Sequence, residues 1–336
     1  MKSKMPDRYV SLAAGLLWTA LLLCLCDCSS PQPEGSASSP ANPSPLSIEQ
    51  PTLIVLGIAQ DAGYPQADCQ KKCCKAVWGQ STAYQKVSCL GLADPVSRRF
   101  GIFDATPDFK DQLQYMKQLS SGDNPWTLAG IFLTHAHIGH YTGLMELGRE
   151  VMGAKAVPVY AMPRMGEFLT QNGPWSQLVD LNNISLQSLT ADSVLSLGNG
   201  LSVTPFLVPH RDEFSETVGY QISGPQRKSL FIPDIDKWKL WERDIREELV
   251  SVDRAFVDGT FFQNGEIPGR DMSEIPHPFV RESLQTFADL SESEKAKVFF
   301  IHLNHTNPLL NPQSEASREV TSAGHHIARE GVRFEL

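Results

Sequence analysis

Leu128-Ala129-Gly130-Ile131-Phe132-Leu133-Thr134-His135-Ala136-His137-Ile138-Gly139-His140-Tyr141-Thr142-Gly143 is the stretch that decides the fold. Ile131 to Leu133 is a short, continuous apolar run after a glycine, the pattern of a buried strand. His135, His137 and His140 follow where that strand gives way to a loop, which is where α/β proteins place their chemistry. His135 and His137 lie two apart, so in extended chain they point the same way. His140 comes round on the next turn. Neutral imidazole is the commonest ligand for zinc and similar ions. Three imidazoles this close predict a metal site, against the plainer reading of a chance cluster.

Working outward, the flanks alternate strand and helix. Strands are predicted over 52–58, 89–93, 99–104, 156–161, 217–222, 229–232, 254–258 and 297–301, with two or three more in 184–208 broken at Gly198-Asn199-Gly200. Helices are predicted over 107–119, 141–150, 237–250, 278–290 and 313–329. Several later strands also end in a polar residue. His210 follows Val203 to Val208, Asp234 follows Leu230 to Pro233, and His302 follows Val298 to Ile301. Any one of these alone would be a structural histidine or, for Asp234, a helix N-cap. Four strands with the same ending could converge at one edge of a sheet pair.

The N-terminus is not part of the fold. Lys2, Lys4 and Arg8 precede Tyr9 to Cys26, which is almost wholly apolar and closes with Cys24, Cys26 and Cys28. Residues 1–28 therefore read as a signal peptide or a membrane or lipid anchor. Residues 29–51 hold six Pro and seven Ser in 23 positions, a tether that cannot bury enough surface to fold. The expected product is exported, periplasmic or membrane-tethered, possessing one folded domain over 52–336. A net charge of −9 with no basic run argues against nucleic acid as a partner and leaves a small-molecule substrate.

Cys69, Cys73 and Cys74 follow a turn-rich segment, Gln60 to Gln66, with Cys89 further on. Three readings stay open: a thiolate zinc site at Cys69, Cys73 and Cys74, disulfides, or buried free thiols. Two further histidines are candidate proton donors: His305, three residues after His302, and His277, between Pro276 and Pro278 on a loop expected at the cleft mouth. Asp212 and Asp258 are candidate partners for the remote imidazole nitrogens. Trp126, Trp175 and Trp238 either line the pocket or pack. The loop 262–280 is the expected specificity element.

The order His-x-His-x-x-His, then His, then Asp, then His resembles the metallo-β-lactamase fold superfamily. Gly63-Tyr64-Pro65-Gln66, Val208-Pro209-His210-Arg211-Asp212-Glu213, Thr217-Val218-Gly219-Tyr220, Val257-Asp258-Gly259-Thr260-Phe261 and Ile301-His302-Leu303-Asn304-His305-Thr306-Asn307-Pro308 resemble its pyrroloquinoline-quinone biosynthesis protein B branch. The resemblance covers the whole folded part. It implies an αββα four-layer sandwich, with one metal held by His135, His137 and His210, a second by His140 and His302, and Asp234 between them. Zinc is the implied ion, one or two in all, with iron or manganese as variants, and the branch carries a zinc-binding cysteine cluster where Cys69 to Cys74 stand. The implied chemistry is metal-activated hydrolysis of an ester, lactone, amide or phosphodiester. Iron-dependent oxygen chemistry and a non-catalytic metal-binding role are the alternatives. One departure stands out. The superfamily motif has Asp where this chain has Gly139, so the second site is expected to lack a ligand.

Overall fold

The computed structural model describes residues 48–119 and 125–336, so residues 1–28, expected as a signal or anchor, and most of the expected tether lie outside the described residues. Among the described residues, no helix is long and apolar enough to cross a membrane. The fold begins slightly before residue 52. Ile48 packs on the core, and the Leu336 amide donates to the Pro51 carbonyl (2.8 Å).

Among the described residues, fourteen strands form two seven-stranded sheets. The first six are β1 (Thr52–Gly57), β2 (Cys89–Asp94), β3 (Arg99–Phe103), β4 (Thr127–Phe132), β5 (Val157–Ala161) and β6 (Ile184–Ser188). The next seven are β7 (Leu195–Gly198), β8 (Leu201–Leu207), β9 (Val218–Ser223), β10 (Lys228–Ile232), β11 (Arg254–Asp258), β12 (Val298–Ile301) and β13 (His326–Ile327), and β14 (Arg333–Glu335) returns to pair with β1. The spatial orders are β14-β1-β2-β3-β4-β5-β6 and β13-β12-β11-β10-β9-β8-β7. Helices cover the outer faces, giving the four-layer αββα sandwich.

Side-chain alternation in β1 shows why two layers form on each sheet. Leu53 and Val55 join the core between the sheets, while Ile54 and Leu56 face the outer core under the helices. Between the sheets, Phe103 stacks on Phe132 (4.9 Å) and meets Tyr220 edge-on (5.4 Å). Such pairs add about 0.5–1.5 kcal/mol each beyond their buried area. Tyr220 also places its hydroxyl on the Leu133 carbonyl (2.5 Å), and the Val218 amide donates to the Thr134 carbonyl (3.1 Å). The second sheet thereby pins the point where β4 turns into the histidine loop.

Several predicted helices are shorter. In place of the 141–150 helix, a helical turn, Ile138–Tyr141, leads into 3-10 helix, Thr142–Leu147. The 237–250 helix is broken: a 3-10 turn, Trp238–Leu240, precedes Ile245–Val250, because Asp244 takes the Arg246 amide and starts a new helix. The last helix covers Glu315–Ser322 and stops before Gly324, whose φ of +88° ends it and frees His326–Ile327 to pair with β12.

The parallel strands do the positioning. β10, β11 and β12 run parallel and deliver Asp234, Asp258 and His302 at one edge. β3 and β4 run parallel and deliver Asp104 and His135. Asp104 (φ +70°) and His302 (φ +65°) leave their strands in the left-handed region, costing about 1–2 kcal/mol each in exchange for their aim into the site.

Candidate metal centre

His135, His137, His210 and Asp234 bring one ligand atom each to within 4.8 Å of one another. His135 Nε2 and His210 Nε2 each lie 3.3 Å from Asp234 Oδ2, and His137 Nδ1 lies 2.8 Å from His135 Nε2. A second group sits on the other side of Asp234. It contains His140, His302 and Asp61, with Asp61 Oδ1 at 3.3 Å from His140 Nε2 and 3.6 Å from His302 Nε2. Asp234 Oδ2 is 4.0 Å from both imidazoles, so it lies between the two groups. Asp234 is 3% exposed and caps no helix.

The remote nitrogens are all engaged, which fixes each ring and its tautomer. His140 Nδ1 meets Asp104 Oδ2 (2.8 Å), and His135 Nδ1 meets Thr134 Oγ1 (3.0 Å), itself held on Asp104. His210 Nδ1 meets Asp236 Oδ1 (3.0 Å), and His302 Nδ1 meets Thr260 Oγ1 (2.9 Å), which donates to Asp258 Oδ1. His137 Nε2 meets Glu213 Oε2 (3.1 Å). Asp258 is therefore a positioning group, as expected. Asp212 is not: its carboxylate takes the Thr217 hydroxyl, and Asp236 orients His210 instead.

Whether this cluster suits a cation can be judged from its own atoms. Asp61 Oδ1, His140 Nε2, His302 Nε2 and Asp234 Oδ1 are buried and make no hydrogen bond. Buried donors and acceptors left unpaired are costly unless an ion takes them. The field agrees. Burial alone would push His140 and His210 down, yet the carboxylates of Asp104 and Asp61 hold His140 up to about 10, and those of Asp234 and Asp236 hold His210 up to about 9. Burial would raise Asp234, but His210, His277 and His302 hold it well below the carboxylate range. His135 is pushed well below its ordinary value by burial and by His140. The carboxylates thus call for positive charge at the centre, which a divalent cation supplies while the imidazoles stay neutral. Nitrogen and carboxylate donors in this mixture suit zinc, manganese or ferrous iron.

A family model described as a beta-lactamase superfamily domain matches residues 99–303. The chain belongs to the beta-lactamase superfamily. It is 27% identical over 306 residues to the coenzyme PQQ synthesis protein B of Xanthomonas oryzae pv. oryzae, covering 84% of this chain and 99% of that relative. The crystal structure of Zn(2+)-bound PqqB from Methylobacterium extorquens superposes with a TM-score of 0.71 at 21% identity, over 85% of this chain and all of that one. A diphosphatase from the PhnP family superposes with a TM-score of 0.59 at 20% identity, over 85% of this chain and 97% of that one.

Against the superfamily motif, the expected gap at Gly139 is not a gap. Asp61, which the sequence reading saw only as part of a turn, brings a carboxylate oxygen there. Asp104 ends the predicted strand 99–104 and Asp236 immediately precedes the predicted helix 237–250, so neither stands out by sequence pattern. His277 is not at the cleft mouth. It is 7% exposed, with Nδ1 hydrogen-bonded to Asp258 Oδ2 (2.8 Å) and 3.0 Å from Asp234 Oδ1. Its approach also explains why Asp234, Asp258 and His277 form a close group of their own. His305 turns elsewhere: its Nδ1 faces Gln66 Oε1, and it lines a hollow with Cys69 and Lys71.

Cys69, Cys73, Cys74 and Cys89 are all free thiols, so the disulfide reading is corrected. The first three sulfurs lie together, with Cys69 and Cys73 3.8 Å apart, as a thiolate metal site requires. Cys89 is apart and buried, near the Leu90 and Asp104 carbonyls. The tryptophans pack. Trp126 sits in the outer core, Trp175 against Tyr141, and Trp238 against Trp241 and Phe287.

The 262–280 loop has its own small core, Phe261, Met272, Ile275 and Phe279, braced by Glu266. Glu266 takes the Phe262 and Gln263 amides and the Thr306 hydroxyl, yet burial raises it to about 7. A carboxyl with a raised folded pKa binds its proton more tightly when folded. Its contribution is full below the unfolded value of about 4.3 and is lost as pH rises through about 7. Amides of this loop should therefore lose exchange protection between pH 5 and 8, after correction for intrinsic exchange, and Glu266→Gln should flatten that dependence. Identical pH profiles in the two proteins would refute this role.

Proposed function

We propose that the chain is a binuclear metal-dependent hydrolase acting on a small ester or phosphodiester. The observation that carries this reading is Asp234, a buried carboxylate placed between two sets of clustered ligand atoms, the second of which, on Asp61, His140 and His302, has no hydrogen bond. His135, His137, His210 and Asp234 would hold one ion, and His140 and His302, with Asp234 shared, the other. A bound pair of this kind lowers the pKa of a shared water towards neutrality and stabilises negative charge on an acyl or phosphoryl oxygen.

The protein's own residues do the rest. Asp104, Asp236, Thr260 and Glu213 hold the imidazoles in one orientation, so little reorganisation accompanies the reaction. His277 is the proton donor for the leaving group. Burial would lower it, but Asp258 and Asp234 hold it well above its ordinary value, which favours the form that carries the proton. With Nδ1 committed to the carboxylates, the proton it transfers is the one on Nε2. Arg211 reaches to 3.5 Å from His137 at the exposed rim, where an anionic substrate would enter.

The test is turnover by the full chain loaded with Zn2+, Mn2+ or Fe2+ on bis(4-nitrophenyl) phosphate, 4-nitrophenyl acetate and a lactone. Hydrolysis that a chelator abolishes and the ion restores, with no oxygen uptake, is expected. Oxygen consumption with Fe2+ and no hydrolysis would replace this reading with a redox one. Metal binding without any turnover would favour a non-catalytic role.

A further inference from the structure

We infer that Asp61 is a ligand of the second ion, replacing from another part of the chain the carboxylate that Gly139 cannot supply; this rests on the binuclear reading above. A Cβ built on Gly139 would lie 2.3 Å from Asp61 Oδ1 and 2.4 Å from Asp61 Cα. No side chain fits there while Asp61 keeps its place. The glycine and the aspartate are thus two halves of one arrangement: the motif gives up its carboxylate and makes room for a carboxylate from the turn after β1.

The turn is built to hold that position. The Gln60 amide donates to the Leu303 carbonyl (2.9 Å), next to His302, and the Gly63 amide donates back to the Gln60 carbonyl (2.8 Å). Ala59 bridges to both Val87 and Leu303. Asp61 is therefore tied to the segment that carries His302, and Gly63, at φ +71°, closes the turn in a conformation glycine adopts freely. Asp61 Oδ1 then joins His140 Nε2 and His302 Nε2 as buried atoms that share one point and have no hydrogen bond. The contacts at 3.3 and 3.6 Å are not hydrogen bonds. A shared cation accounts for all of them, and with Asp234 it has two nitrogen and two oxygen donors.

The experiment uses Mn2+, a hard ion that thiolates such as Cys69, Cys73 and Cys74 bind poorly. The metal-free full chain is titrated with Mn2+, and bound ions are counted and examined by electron paramagnetic resonance. The wild type should take up about two ions with the signal of a spin-coupled pair. Asp61→Gly should lose one of the two and show an uncoupled ion. Gly139→Asp alone should also lose one, from the clash. The double variant Asp61→Gly with Gly139→Asp should recover both ions and the coupling, which a merely misfolded turn could not do. Two coupled ions in Asp61→Gly would overturn the inference while leaving the binuclear centre intact. A wild type that binds no Mn2+ would overturn the centre itself.

Discussion

Asp234→Ala should empty both ion positions together. Asp234 Oδ2 stands 3.3 Å from His135 and His210 and 4.0 Å from His140 and His302, so both donor sets lose a ligand in one substitution. The substitution also removes a buried negative charge from among six imidazoles. His210 and His277 then lose a partner that holds their protons, and the cluster repels a cation it formerly attracted. Bound Mn2+ should fall from about two ions per chain to fewer than one, and hydrolysis by about 10³-fold or more, since the ions supply several kcal/mol of charge stabilisation. His135→Ala is the useful contrast. It removes a ligand from the first ion alone, so the His140, His302 and Asp61 set should keep its ion. If Asp234→Ala retained both ions, the placement of that carboxylate between them would be refuted. The fold should survive either change, because the aromatic layer of Phe103, Phe132 and Tyr220 lies outside the donor sets.

Much of this centre was readable from residue spacing because its ligands come from strand ends. A run such as Val298 to Ile301 has one buried exit, and the polar residue after it must face either solvent or a site. His135, His137, His210, Asp234 and His302 all follow that rule. Asp61 does not, since the turn that carries it looks like any Gly- and Pro-containing loop. Its role depends on the missing side chain at Gly139, a spatial relation that no local pattern expresses. His277 and His305 illustrate the same limit. Both sit in proline-containing loops, and what separates them is the residue opposite: Asp258 for His277 and Gln66 for His305. The 237–250 helix was overread because its apolar period continues across Asp244, whose side chain starts a new helix there. Periodicity records which face is buried and is blind to a cap in mid-run.

His277→Gln should separate leaving groups. A proton donor matters only where the departing oxygen needs a proton. With 4-nitrophenolate, which leaves as a stable anion, the variant should lose little activity. With an alkyl or ribosyl leaving group the loss should approach about 10²- to 10⁴-fold, the usual contribution of a general acid. The dependence of rate on leaving-group pKa should therefore be shallow in the wild type and steep in the variant. The wild-type rate should show no alkaline fall from His277 as pH passes the ordinary imidazole range, because Asp258 and Asp234 hold the His277 pKa above that range. His277 also touches Asp234, so a purely positioning role must be distinguished. If His277 only steadied Asp234, the variant would lose bound Mn2+ and slow every substrate by the same factor. Asp258→Asn serves as the companion variant. It removes a carboxylate that faces His277 Nδ1 at 2.8 Å, lowers the imidazole pKa, and should move the alkaline fall of the rate to lower pH for poor leaving groups alone. A uniform loss across leaving groups in both variants, with the pH profile unmoved, would remove His277 from the chemistry and leave it a structural tie between Asp258 and Asp234.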